Sequence, residues 1–116
     1  IRKKKIKCRR FDDLNLKIAP HFIKIDTEGY DQFVLKGLKK TINKYKPVFL
    51  LEYNKEYYKN IKKILKNYIP YVYDLKKNKM LKLAKTIDPK KVARTTKRNY
   101  LSVRNIYFIP KQKKIY

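Results

Sequence analysis

A short strand, an acidic turn and a helix follow one another in the segment Phe22–Leu38, which reads FIKIDTEGYDQFVLKGL. Ile23 and Ile25 alternate with less apolar neighbours, and this period of two predicts a strand over 22–26. Apolar residues then recur at helical spacing, which predicts a helix over about 30–45. A strand, turn and helix of this kind is the building unit of an open α/β sheet, where ligands bind beyond the carboxyl ends of the strands.

The rest of the chain continues the alternation of strands and helices. An apolar run bounded by Pro47 indicates a strand buried on both faces, and an apolar stripe among lysines indicates a helix after it. Residues 1–10 are predicted as a basic linker or partial strand, and 111–116 as a basic tail. The further predicted elements are strand Val48–Leu51, helix Lys55–Asn67, strand Tyr71–Leu75, short strand Met80–Leu83, loop Ala84–Asn99 and strand Tyr100–Ile109.

Glycine is scarce, and this limits what the chain can bind. With 116 residues the chain fits one domain, and its two glycines, Gly29 and Gly37, cannot form the glycine-rich loop that holds a nucleotide or nucleoside. We therefore expect half of a larger α/β domain, with the cofactor-binding half elsewhere or lost.

The central motif also resembles a known family. KID at Lys24–Asp26, followed by an acidic residue two positions on, glycine, a further acidic residue and then LKG, resembles the FkbM family of S-adenosylmethionine-dependent methyltransferases. The segments RFDDL (Arg10–Leu14), KPVFLLEYN (Lys46–Asn54) and NIYFIP (Asn105–Pro110) resemble the family's preceding turn, next strand and last strand. The resemblance spans residues 10–110 and covers only the C-terminal half of the family's domain.

This resemblance implies a fold and an activity. It implies the C-terminal half of the class I, Rossmann-like methyltransferase fold, with parallel strands, a final antiparallel strand and the sheet order 3-2-1-4-5-7-6. It also implies methyl transfer from S-adenosylmethionine to a hydroxyl of a small molecule or sugar. The chain alone would be inactive, and the missing N-terminal half or another subunit would complete the sheet.

The charge of the chain leaves other functions open. A net charge of +24 favours a polyanionic partner, but Lys outnumbers Arg by 27 to 6, whereas sequence-reading surfaces use bidentate Arg. Compositional drift toward lysine explains the charge as well, so we expect only nonspecific binding. A basic nucleic-acid-binding module on a methyltransferase-like scaffold and a decayed remnant remain the rival interpretations.

Cysteine content and hydropathy bear on the compartment. The single cysteine, Cys8, excludes an intramolecular disulfide, and no apolar run approaches the roughly 20 residues of a membrane span. The sequence therefore predicts a soluble, cytoplasmic protein. Cys8 has no neighbouring catalytic base and is interpreted as a plain thiol.

Acidic residues cluster in the first half of this basic chain. Asp26 and Glu52 each end a predicted strand, and Glu28 lies in the turn after the first. If the two strands are parallel neighbours, these carboxylates share one edge and can act as a general base or orient a hydroxyl group. A divalent metal is a weaker variant. The competing interpretation gives Asp26 and Glu28 helix-capping and dipole roles and Glu52 a salt bridge, while Asp31, Asp12 and Asp13 are assigned to structure.

His21 and the tyrosines are assigned to structure. His21 precedes the first strand, which places it about 16 Å from Asp26, at the opposite edge of the sheet. The eleven tyrosines could stack on nucleic-acid bases. Their positions in predicted strands and on the predicted helix stripe favour core and sheet packing instead.

Overall fold

One sheet of five strands organises the protein, and three short helices pack on one of its faces. The computed structural model describes residues 1–74, 77–83 and 105–113. Residues 1–10 contain no helix or strand and are exposed. The elements that follow are a 3-10 turn at Phe11–Asp13, β1 at Phe22–Ile25, α1 at Asp31–Lys36, α2 at Lys39–Tyr45, β2 at Val48–Glu52, α3 at Tyr58–Ile64, β3 at Tyr68–Asp74, β4 at Lys79–Lys82 and β5 at Asn105–Pro110.

The strands lie in the order β1-β2-β5-β3-β4. β1 and β2 are parallel, whereas β5 is antiparallel to both of its neighbours and β4 is antiparallel to β3. The predicted α/β class is confirmed, but the sheet is mixed and mostly antiparallel in its pairings. β3 runs in the same direction as β1 and β2, yet both of its direct neighbours are antiparallel.

The hydrophobic core lies between the sheet and the three helices. Strand residues at alternate positions, including Ile25, Phe49 and Phe108, are almost completely buried. The rings of Tyr58 on α3 and Phe108 on β5 lie 6.4 Å apart, which places α3 on the same face of the sheet. The helices contribute apolar residues to the same cluster: Leu35, Leu38, Ile42, Ile61 and Leu65.

Asp12 divides the helix predicted over 30–45 into α1 and α2. In an uninterrupted helix the N–H of Thr41 would bond to the carbonyl of Gly37. Instead, the Gly37 carbonyl accepts from the Asp12 N–H at 3.0 Å, and the Asp12 carboxylate accepts from the N–H groups of Lys40 and Thr41 at 2.7 and 3.0 Å. The prediction of one continuous helix was wrong because a distant residue occupies both partners of a helical hydrogen bond.

Gly37 permits this close approach. A Cβ atom at position 37 would lie 3.3 Å from Cβ of Arg10, in the turn that carries Asp12. The structure identifies the packed segment as the 3-10 turn.

The remaining boundaries differ from prediction by a few residues. α3 is shorter than the predicted Lys55–Asn67, β4 agrees to within one residue, and β3 begins at Tyr68 rather than Tyr71. The carbonyl of Pro70 accepts from the Leu83 N–H, on the side of β3 away from β5. The nitrogen of Pro70 lies on that same side of the strand, so β3 loses no hydrogen bond to β5, and proline is tolerated there. The predicted loop Ala84–Asn99 lies outside the described residues, as do residues 75 and 76, 100–104 and 114–116.

None of the helices within the described ranges is long and apolar enough to cross a bilayer.

Candidate functional site

The carboxyl ends of β1 and β2 lie side by side and carry two of the predicted site residues. The last paired positions of these parallel strands are Ile25 and Leu51, and Glu52 is the final residue of β2. Asp26 follows Ile25 directly, so it is the register neighbour of Glu52 on strands about 4.8 Å apart. The backbone therefore brings Asp26 and Glu52 to the same edge of the sheet, as predicted from the sequence.

The two carboxylates also share one face of the sheet. Side chains alternate along a strand, so Asp26 lies on the face of Lys24, and Glu52 on the face of Leu50. Lys24 and Leu50 are themselves register partners. This face is the one that no helix of the described residues covers.

Asp26 is exposed, and among the described residues its ion-pair partner is Lys24. Its Oδ2 atom lies 3.8 Å from Nζ of Lys24, and both side chains are more than half exposed. Such an exposed and long pair contributes little to stability. Asp26 makes no capping bond to α1, whose N-cap residue is Tyr30 and has no side-chain cap. The helix-capping interpretation of Asp26 was wrong.

A strained turn follows Asp26. Glu28 has φ 50° and Gly29 has φ 103°, so two successive residues adopt left-handed backbone conformations. The second of these values is one that glycine adopts readily and side-chain-bearing residues rarely adopt. The Glu28 side chain is exposed, and among the described residues it makes no ion pair with Lys24 or with any other cation.

Asp31 holds this turn in place. Its carboxylate is almost fully buried and accepts hydrogen bonds from the N–H and Oγ1 of Thr27, at 3.1 and 2.5 Å. The sequence analysis assigned Asp31 to structure without naming its contact. The structure identifies that contact, since the bonds to Thr27 fix the backbone immediately after Asp26.

Tyrosines of the β2–α3 connection line the same edge, and sequence reasoning did not select them for the site. The Cε2 atom of Tyr57 is 3.4 Å from where a Cβ of Gly29 would lie. The rings of Tyr53 and Tyr58 meet edge to face, 5.3 Å apart. Burial, with a smaller contribution from Tyr53, raises the pKa of Tyr58 to about 12, so this phenol stays protonated at neutral pH. The signal in the sequence that could have indicated them is the group of tyrosines that follows Glu52.

Asp74 ends β3 at the same edge but is not part of the pair. β5 separates β3 from β2, so Asp74 lies about 10 Å from Glu52 at normal strand spacing. Its buried carboxylate accepts from the N–H of Lys77 at 3.1 Å. This bond assigns Asp74 to the β3–β4 hairpin.

The other candidate residues lie away from this edge. His21 precedes β1, and its carbonyl accepts from the Val48 N–H at the opposite, amino edge of the sheet, as predicted. Cys8 is exposed in the N-terminal segment. Within the described residues, no three of the His, Cys, Asp and Glu side chains are grouped in a way that could hold a metal ion.

Fold and site together define an α/β protein with paired carboxylates at the carboxyl edge of two parallel strands, where proteins of this class bind ligands. A family model described as the methyltransferase FkbM domain matches residues 1–73. The chain therefore belongs to the FkbM family of methyltransferases. The match includes Asp26, Glu28 and Glu52, whereas the NIYFIP segment that forms β5 lies beyond it. No curated protein and no solved structure gave a significant match.

Proposed function

We propose that this chain forms the second half of a class I methyltransferase domain that transfers a methyl group from S-adenosylmethionine to a hydroxyl of a small molecule or sugar. Membership of the FkbM family supports methyl transfer. The order β1-β2-β5-β3, with β5 antiparallel, supports the class I assignment, since it equals the 4-5-7-6 part of that sheet. β4 is then an additional strand at the outer edge.

The residues described here do not form a cradle for S-adenosylmethionine. Gly29 packs against Tyr57 and Gly37 against Arg10, and the chain has no other glycine. A nucleoside cofactor of this kind is commonly held by a glycine-rich turn at a helix N-terminus. In our proposal the cofactor is therefore held by another part of the domain or another subunit, which pairs with the free side of β1.

Asp26 is the residue that we assign to the acceptor. Its exposed carboxylate lies beyond the strand end, beside Lys24. It accepts the proton of the acceptor hydroxyl, and Glu52, one strand away on the same face, binds the acceptor and assists. In this proposal Glu28, on the left-handed turn between Asp26 and α1, contacts the acceptor. The adjacent placement of Asp26 and Glu52 is the observation that carries this proposal.

The experiment is a methyl-transfer assay on the complete domain with isotopically labelled S-adenosylmethionine and a panel of sugar and small-molecule alcohols. We expect label in an ether product of at least one alcohol. Label found only on nitrogen or carbon acceptors would contradict the assignment of a hydroxyl acceptor. An absence of transfer to any acceptor, by a folded complete domain that binds the cofactor, would contradict the catalytic proposal as a whole.

A further inference from the structure

Tyr68, the first residue of β3, carries a buried hydroxyl that no described neighbour satisfies. The residue is 7% exposed, and its Oη atom has no hydrogen-bond partner among the described residues. Its ring packs in the core, 5.7 Å from the ring of Phe49 between centroids. A buried polar group without a partner opposes folding, so its presence in a native protein calls for an explanation such as a bound ion.

A cavity of about 80 Å³ adjoins Tyr68 between the end of α2, the start of β3 and the end of β5. Because α2 forms one wall, the cavity lies on the side of the sheet that the described helices cover. Two buried apolar residues and four exposed polar residues complete its lining: Ile42, Pro110, Asn43, Lys46, Asn67 and Gln112.

The cavity is remote from the candidate site and from the free side of β1. Register pairs place Pro70 beside Phe108 and Phe108 beside Phe49, which lies three residues before Glu52. Tyr68 precedes Pro70 by two residues, so it lies about 16 Å from the level of Glu52, at the amino edge of the sheet. Its strand is also three positions away from β1 in the sheet order. The part of the domain that joins β1 therefore does not cover this cavity.

Every polar side chain around the cavity can donate a hydrogen bond. Tyr68 donates through its hydroxyl and Lys46 through its ammonium group, and the carboxamides of Asn43, Asn67 and Gln112 also donate. No carboxylate of the described residues lines the cavity, and Lys46 forms no ion pair with any of them. Lys46 is also the C-cap residue of α2, where its charge offsets the negative end of the helix dipole. This lining favours a ligand that is small, anionic and rich in acceptors.

We propose that this cavity binds a phosphate group. The Tyr68 hydroxyl donates to one phosphate oxygen, Lys46 supplies the opposite charge, and the carboxamides bind the remaining oxygens. A volume of about 80 Å³ holds one such group but is well below the roughly 300 Å³ of pockets for drug-sized molecules, which excludes S-adenosylmethionine. This site does not depend on the proposed methyl transfer.

The first test removes the Tyr68 hydroxyl. Inorganic phosphate is titrated into the 116-residue chain by isothermal titration calorimetry, with sodium chloride holding the ionic strength at about 0.1 M. Tyr68→Phe should bind phosphate about tenfold more weakly, because a hydrogen bond to a charged group changes affinity by about that factor. Without phosphate the same variant should be at least as stable as the wild type, since no buried hydroxyl is left unsatisfied. Weaker binding by an equally stable variant separates a ligand contact from a folding defect.

The second test separates the cavity from the general charge of the chain. Lys46→Gln and the control Lys39→Gln remove the same charge from opposite ends of α2, and Lys39 does not line the cavity. Lys46→Gln should weaken phosphate binding about tenfold, as for the loss of another charged contact. Lys39→Gln should weaken it less than about twofold, because Lys39 is about 10 Å away along the helix, which is about one Debye length at this ionic strength.

The third test locates the bound ion. In NMR spectra of the ¹⁵N-labelled chain, the side-chain amide signals of Asn43, Asn67 and Gln112 should shift as phosphate is added. The signals of Asn54 and Asn60, which bond to Glu56 and Gln32, should not shift. Glycerol 3-phosphate is titrated in parallel. Tighter binding than inorganic phosphate would identify the ligand as the phosphate end of a larger molecule, weaker or equal binding would identify the free ion, and either result supports the site.

Three results would overturn the proposal. Unchanged phosphate binding by folded Tyr68→Phe would show that its hydroxyl contacts no ion. Equal losses in Lys46→Gln and Lys39→Gln would show diffuse attraction to the basic chain. Carboxamide signals that do not move with phosphate would place any bound ion elsewhere. Circular dichroism establishes that each variant is folded.

Discussion

Asp12 and Thr41, 29 positions apart in the sequence, are joined by two hydrogen bonds: Oδ1 of Asp12 accepts from both the N–H and the Oγ1 of Thr41, at 3.0 and 2.7 Å. The Oδ2 atom accepts from the N–H of Lys40. The side chain of Asp12, which precedes β1 in the chain, thus caps the start of α2, which follows β1. It connects the segment before β1 to the helices after it.

Replacing Asp12 should destabilise the fold. Loss of a helix cap costs about 1 kcal/mol, and Asp12→Ala also removes the acceptor of the Thr41 hydroxyl. We therefore expect the free energy of unfolding to fall by about 1–2 kcal/mol. Urea denaturation measures this. Asp13→Ala is the matched control. Within the described part of the chain the Asp13 side chain forms only an exposed ion pair with Arg10, so its loss should cost less than about 1 kcal/mol. Equal effects at positions 12 and 13 would contradict the capping role.

The same carboxylate gives a prediction for acid. Burial opposes its ionisation, but hydrogen bonds from Thr41 and Lys40 outweigh this and lower the pKa of Asp12 below its ordinary value of 3.8. A lowered pKa means that the carboxylate stabilises the fold above pH 3.8 and that this contribution is lost as the pH falls through the folded-state pKa. The stability difference between wild type and Asp12→Ala should therefore shrink below that pH. A difference that stays constant down to about pH 2 would contradict the shift.

Tyr68→Phe should stabilise the protein. The Tyr68 hydroxyl is buried and has no hydrogen-bond partner among the described residues, and an unsatisfied buried polar group costs about 1–3 kcal/mol. Burial raises the pKa of Tyr68 to about 12 from 10.0, so the unfolded chain releases this proton first and the wild type should lose stability between these two pH values. The advantage of Tyr68→Phe should widen in that range. Thermal unfolding at neutral and alkaline pH tests both statements, and a less stable phenylalanine variant would contradict them.

Gly29→Ala should destabilise the turn beside Asp26. The backbone at Gly29 has φ 103°, a conformation that costs a side-chain-bearing residue about 1–3 kcal/mol. The nearest atom to the added Cβ would be Cε2 of Tyr57 at 3.4 Å, an ordinary contact, so strain rather than collision is the cause. Urea unfolding measures the loss. An alanine variant as stable as the wild type would show that the turn relaxes at no cost.

Asp26→Asn should lower turnover by about 100-fold to 10,000-fold in the complete domain, the usual contribution of a positioned general base. Stability should change little, because the carboxylate is exposed and its contact with Lys24 is long. Glu52→Gln should show a smaller loss of turnover. Turnover and thermal unfolding are measured on the same preparations, with Asp13→Asn as control. Undiminished turnover in a folded Asp26→Asn variant would eliminate the catalytic assignment.

The 116-residue chain alone should not bind S-adenosylmethionine, because its two glycines are both committed to packing and no glycine-rich turn is present. Isothermal titration calorimetry provides the measurement. A micromolar dissociation constant for this chain would show that the cofactor needs no further polypeptide. The half-domain interpretation would then be wrong.

Much of the architecture is local in origin and was accessible from the sequence. The two-residue period before Asp26 and the apolar run after Pro47 predict β1 and β2, because the burial of a strand depends on the alternation of neighbouring side chains. The convergence of Asp26 and Glu52 then required only that these strands be parallel neighbours. The family itself was accessible from the KID motif and its surroundings.

Long-range contacts decided the rest. The break between α1 and α2 depends on Asp12, and nothing in the local pattern over 30–45 shows that a distant carboxylate competes for the hydrogen bonds of Gly37 and Thr41. The spacing of apolar residues in one sequence likewise does not show which face of a sheet the helices will cover. Tyr71 and Tyr107 have the pattern of buried strand residues, and only the placement of α1, α2 and α3 on the other face leaves them outside the hydrophobic core. The sequence by itself thus determined the strands, the turn and the family, whereas tertiary structure decided the helix break and the face that the helices cover, because both depend on which distant groups meet.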